Sequence, residues 1–125
     1  MSTVGSTPAA LGGRRLVMVA ALAPVAWLVH LSAMPALVPL ACSTGATWPM
    51  WVTTVVCASL AAAGVVLLHR ARRDAHALEG LVGADDAVVQ RGRLWSGAGL
   101  VTGWLFLVLI VAEFLPTLVV DPCPP

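Results

Sequence analysis

Apolar residues in this chain come in long unbroken runs rather than alternating with polar ones. Three runs stand out, residues 16–41, 50–69 and 94–120. A helix with no polar face is surrounded by apolar material on every side. Crossing ~30 Å of hydrocarbon takes about 20 apolar residues as helix, and each run is long enough. Helix is the required form, because lipid offers no partners to open backbone groups. The pattern predicts an all-α integral membrane protein with three transmembrane helices. The stretch MSTVGSTPAALGG within residues 1–15 is rich in Gly, Ser and Thr, has no apolar period and reads as a disordered tail. Residues 70–93 form a connecting loop and residues 121–125 a short tail. In that loop, RRDAHALEGLVG extends the second helix toward Gly80 and Gly83, and ADDAVVQRGR opens the third, with Asp85 or Asp86 as its cap.

Composition sharpens the membrane reading. Of 125 residues, 59% are hydrophobic and 10% charged, and the mean hydropathy is +0.93. A soluble domain carries about 25% charged residues, so lipid must be part of the solvent. The net charge of +1 argues against nucleic acid as a partner.

Charge placement sets the orientation. Arg14 and Arg15 precede the first run, and Arg70, Arg72, Arg73, Arg91 and Arg93 lie between the second and third. The segment from Cys42 to Pro49 has no charge, and the tail has only Asp121. The positive-inside rule predicts a cytoplasmic N-terminus and an extracytoplasmic C-terminus in a bacterial cytoplasmic membrane. The sequence PALVPLAC ending at Cys42 raises the question of lipoprotein cleavage. Pro39 stands where such a signal wants a leucine-like residue, and the apolar run is about 26 residues against 7–15 for a signal core. Cys42 therefore reads as the point where the first helix leaves the membrane.

Two ionisable residues lie inside the runs. His30 is about eleven residues, or ~16 Å, below the outer boundary, and Glu113 about seven residues, or ~10 Å. A shift of one turn at either span end brings the two to a similar depth. A charge in the bilayer core costs several kcal/mol and turns toward other helices and partners, which predicts a buried His30–Glu113 pair. Two roles stay open: a ligand or proton-relay pair, or a neutral Glu113 bonded to His30 or to a backbone carbonyl as helix glue. Pro116 favours the second, because its ring frees the carbonyl of Ala112 beside Glu113.

Trp27, His30 and Met34 share a helical face. Histidine and methionine ligate haem iron or copper, although one of each on a single helix face cannot supply opposite axial ligands to one haem. The alternative is a packed face beside kinks at Pro24, Pro35 and Pro39. Cys42 and Cys123 both fall on the extracytoplasmic side, where a disulfide can form. The competing reading is a copper(I) site of Cys42, Cys123 and Met50, extended by His30 and Met34. No CxxC supports it. Cys57 lies within the second run as a small apolar side chain.

Gly99-x-x-x-Gly103 and the stretch ASLAAAG, Ala58 to Gly64, have the small-residue spacing of close helix contacts. They predict packing of the second span on the third. Trp48, Trp51 and Trp95 read as interfacial anchors and Trp104 as a packed mid-span residue. His69 and His76 read as solvated neighbours of the arginines. No G-x-S-x-G, H-E-x-x-H, phosphate loop or carboxylate pair is present, and the chain reads as non-enzymatic with no predicted cofactor.

Two segments carry a resemblance. APVAWLVHLSAMPALVPLAC in the first span and LFLVLIVAEFLPTLVVDPC closing the third resemble small three-span bacterial membrane proteins with a W-x-x-H first helix, a buried Glu or Gln before L-P, and a final P-C. Such proteins are often encoded beside caa3-type cytochrome c oxidase and its copper-insertion factor. The resemblance marks Trp27, His30, Cys42, Glu113, Pro116 and Cys123. The second span and the loop match only in composition. It implies an accessory or assembly role, with an oxidase subunit or assembly factor as partner in addition to lipid. Copper or haem handling, and a small proton- or solute-conducting oligomer built around Glu113, are the alternatives.

Overall fold

The computed structural model describes residues 13–79 and 86–123. Three helices account for nearly all of them: α1 (Gly13–Thr44), α2 (Trp48–Glu79) and α3 (Asp86–Val119). No strand occurs among the described residues. All three helices are long and apolar enough to cross a membrane, and each packs against both others. Helices of 32, 32 and 34 residues are about 48–51 Å long at 1.5 Å per residue. That exceeds the ~30 Å hydrocarbon layer, so turns project beyond it.

The excess lies mainly where the arginines are. α1 already begins at Gly13 and takes in Arg14 and Arg15, so the tail expected through residue 15 is helical in its last three positions. Residues 1–12 lie outside the described residues. Within residues 70–93, 70–79 continue α2 to Glu79 and 86–93 open α3 from Asp86, in line with the helical extensions read at both ends of that segment. Alanine, arginine and glutamate are good helix formers, and their side chains are at ease once the helix leaves lipid. Gly80, Gly83 and Asp85, read as stops and a cap, lie outside the described residues.

The opposite end is closed tightly. Gly45 adopts φ 71°, and its N–H bonds the Ala41 carbonyl at 2.8 Å. That left-handed residue ends α1 in the way only glycine does without strain. Three residues later α2 begins, with Pro49 in its first turn, where a missing N–H costs nothing. α1 keeps its helical backbone through Pro24, Pro35 and Pro39. Cys42, at the top of α1, is joined to Cys123 just beyond α3, with Cα atoms 5.5 Å apart.

Small side chains line the interior. Ala23, Ala26, Cys57, Ala61 and Ile110 form a buried cluster in the middle, with Trp27, Ala58, Phe106 and Leu107 packed against it. Leu16, Ala71 and Ala75 form a second cluster at the arginine end. Large apolar residues such as Val55, Val101, Leu105 and Val108 face outward, the arrangement a lipid solvent rewards. Trp104, expected to pack, also faces outward at 57% exposed. The missing side chain of Gly103 points the other way and takes up the α2 contact.

The glycines of α3 do meet α2, but not through its small residues. A Cβ on Gly103 would lie 2.8 Å from Val65, and one on Gly99 3.0 Å from Leu68 and 3.2 Å from Ala20 of α1. These glycines are sockets for larger side chains. Gly64 of the ASLAAAG stretch faces α1 instead, where a Cβ would sit 3.1 Å from Leu22.

Candidate functional site

Polar side chains in an apolar span must find partners nearby. Most hydroxyls here bond their own helix, as Ser32 does to the Leu28 carbonyl (2.7 Å) and Thr53 to that of Pro49 (2.8 Å). Four side chains do something else. Trp27 and His30 on α1, Thr54 on α2 and Glu113 on α3 converge on one point between the helices.

The i, i+3 spacing puts Trp27 and His30 on the same face of α1. Trp27 donates its Nε1–H to Oε1 of Glu113 at 3.0 Å, and its ring lies 5.2 Å from that of Phe106. His30 is 1% exposed, and its Nε2 lies 3.0 Å from the Thr54 hydroxyl oxygen. Thr54 donates its single hydroxyl hydrogen to the Met50 carbonyl at 3.0 Å. Its oxygen can then only accept from the imidazole, so Nε2 carries a hydrogen. The other ring nitrogen, Nδ1, faces Oε2 of Glu113 at 3.5 Å. That separation is within ion-pair range but too long for a hydrogen bond, and Nδ1 is buried without a hydrogen-bond partner.

Hydrogen counting follows directly. Trp27 occupies Oε1, and Thr54 fixes Nε2–H. Between Nδ1 and Oε2 there is room for one hydrogen. If it is present, the pair is an acid beside an imidazole, or a carboxylate beside an imidazolium, and is neutral overall. If it is absent, two lone pairs and a negative charge face each other in a low-dielectric interior, which is costly.

The structure thus brings His30 and Glu113 to one place and adds two residues to them. Trp27 was placed on the helical face of His30 but given no partner on another helix, and Thr54 was not singled out at all. In the sequence VTTVV, threonine looks like one more β-branched apolar residue, and its role depends on which helix face meets α1. Pro116 lies one turn beyond Glu113, inside α3.

The candidate metal residues are arranged differently. Cys42 and Cys123 are bonded to each other. His30 has one nitrogen on Thr54 and the other against Glu113. Met50 is buried one turn from Thr54 toward the disulfide end, and Met34 is half-buried. Among the described residues, no three His, Cys, Asp or Glu side chains gather as a ligand set. Cys57 is a free thiol buried in the middle cluster. Trp48 and Trp51 are exposed near the disulfide end, with Trp51 edge-on to Phe114 at 4.6 Å. Glu113 itself is only partly enclosed, its side chain 33% exposed.

Comparison with known proteins finds no matching family model, no matching curated protein and no matching solved structure. The structure itself defines the class: a small, multi-pass, all-helical membrane protein stapled at one end.

Proposed function

We propose that this chain is a non-enzymatic accessory protein of a bacterial cytoplasmic membrane that works by packing against another membrane protein. The partner class is a haem–copper oxidase subunit or its assembly factor. The orientation in this reading has the arginine end in the cytoplasm and the disulfide end outside, following the charge bias.

The observation that carries the reading is the exposed edge of Glu113. Three helices commit a tryptophan, a histidine and a threonine around this carboxyl, yet a third of its side chain stays on the bundle surface in an apolar span. Lipid tails offer such a group nothing, and polar groups at that depth usually meet another helix. A polar side chain on a partner helix would complete the site. The oxidase as partner rests on the resemblance of the first and third spans.

The test is purification of the tagged full chain from its native membrane in mild detergent. An oxidase subunit should co-purify, and less of it with a folded Glu113→Leu variant. Deleting the chain should lower the amount of assembled oxidase, read from its haem absorbance. Unchanged oxidase and no co-purifying oxidase subunit would sink the proposal.

A further inference from the structure

We infer that His30 and Glu113 form a binding site for a single proton, and that this site is a store rather than a wire. The inference stands apart from the partner proposed above and concerns the isolated chain. Its first support is the orphaned Nδ1, a buried nitrogen with no hydrogen-bond partner, 3.5 Å from Oε2. One hydrogen placed there closes the gap to a charge-assisted bond of about 2.7–2.9 Å. Two hydrogens would face each other, so the pair takes up one and excludes a second.

The flanking residues make the site directional. Trp27 holds Oε1 and turns Oε2 toward the ring. Thr54 holds Nε2–H and so presents Nδ1 as the acceptor. These are positioning residues, since neither exchanges the proton. The ring meets Thr54 from α2 and Glu113 from α3, while Trp27 on its own helix bonds the far oxygen of that carboxyl. The only ionisable partner of the ring among them is Glu113.

Access runs through one door. Glu113 reaches the bundle surface, whereas His30 is enclosed. Beyond His30 the path ends, because the Thr54 hydrogen is spent on the Met50 carbonyl. A backbone carbonyl accepts a hydrogen bond but does not hand a proton onward. The proton is therefore held between Oε2 and Nδ1 and exchanges only through the Glu113 carboxyl, the one part of the pair that is not enclosed. Net charge at the site changes by one unit with each uptake or release.

The test uses the full chain in phosphatidylglycerol/phosphatidylcholine nanodiscs, with 15N-labelled histidine and His69→Gln and His76→Gln so that only His30 reports. The Glu113 carboxyl band in the infrared is assigned by its loss in Glu113→Gln. Expected is one transition, at which the His30 ring signals and the Glu113 band change together. In folded Glu113→Gln the amide donates to Nδ1, and the ring stays neutral with Nε2–H throughout. In liposomes the wild-type chain should conduct no protons. Separate transitions at the two residues, an imidazolium in Glu113→Gln, or a proton flux that this substitution abolishes would each overturn the inference. If Glu113→Gln does not fold, Thr54→Val serves instead. Removing the Nε2 acceptor should move the ring hydrogen to Nδ1, opposite the carboxylate, and an unchanged tautomer would overturn the assigned geometry.

Discussion

Near the arginines the three helices meet through side chains that are missing, and near the disulfide through bonds that are present. Gly64, Gly99 and Gly103 are sockets for Leu22, Leu68 and Val65, and nothing but shape holds them there. About three turns further along α2 and α3, Trp27, His30, Thr54 and Glu113 tie three helices by directed contacts, and the Cys42–Cys123 bond closes the top. Lipid tails are as apolar as leucine, so apolar burial alone gives little drive for helices to associate. A small bundle is left with close packing, polar contacts and covalent closure. This molecule uses the first in one half and the other two in the other half.

Breaking the covalent closure should have the largest effect. The bond joins residues 81 apart in sequence, a loop worth about 4–5 kcal/mol in the chain-entropy model for a free chain. Spans already confined to a bilayer have less freedom to lose, so we expect about 2–4 kcal/mol. Thermal unfolding in detergent with and without reductant measures it. If the comparison is sound, proteolysis after reduction begins at the disulfide end and leaves the glycine contacts protected.

Filling a socket should come next. Gly99→Leu would drive its side chain into Leu68 of α2 and Ala20 of α1, atoms already 3.0–3.2 Å from where a Cβ would stand. Overpacking of this kind costs about 1–3 kcal/mol. Gly64→Leu should separate α1 from α2 while sparing the α2–α3 contact, and cysteine crosslinking between Leu68→Cys and Gly99→Cys, where a Cβ on Gly99 would stand 3.0 Å from the Leu68 side chain, would report whether it does. Loss of that crosslink as well would mean that the helices do not separate independently.

The contrast also explains which parts were legible in the sequence. Three helices follow from run length and the chemistry of lipid, with no tertiary information needed. His30 and Glu113 drew attention because each is costly alone in an apolar span. Thr54 did not, because threonine is cheap in a helix, where its hydroxyl can bond its own backbone; here that same bond fixes the direction of the next one. The glycine spacing pointed to close approach, but which helix fills which socket depends on rotation about each axis. A helix that is apolar all round leaves that rotation unmarked, and for this reason Trp104 was misassigned to the interior and Gly64 to the wrong neighbour. The helical extensions into residues 70–93 were legible from good helix formers at both ends, and α2 runs on to Glu79 and α3 begins at Asp86, past the apolar runs that mark the lipid boundary.

Directed polar contacts should have the smallest effect on stability. Hydrogen bonds between membrane helices are worth about 0.6 kcal/mol on average and rarely exceed about 1.7. Trp27→Phe removes the donor to Oε1 while leaving a ring to pack near Phe106, 5.2 Å away. We expect a loss of about 0.5–1.5 kcal/mol, well below either change above. Thr54→Val should cost a similar amount, since it orphans the Nε2–H of a ring that is 1% exposed. The double variant decides whether the four residues act as one unit. Trp27 and Thr54 do not bond each other, and they communicate only through the His30–Glu113 contact. If that contact is closed by a proton, loosening either end should weaken the other, and the two losses will not add. Additive losses within about 0.3 kcal/mol would mean two separate hydrogen bonds that merely share a neighbourhood. The polar half would then be held in the same piecemeal way as the glycine half.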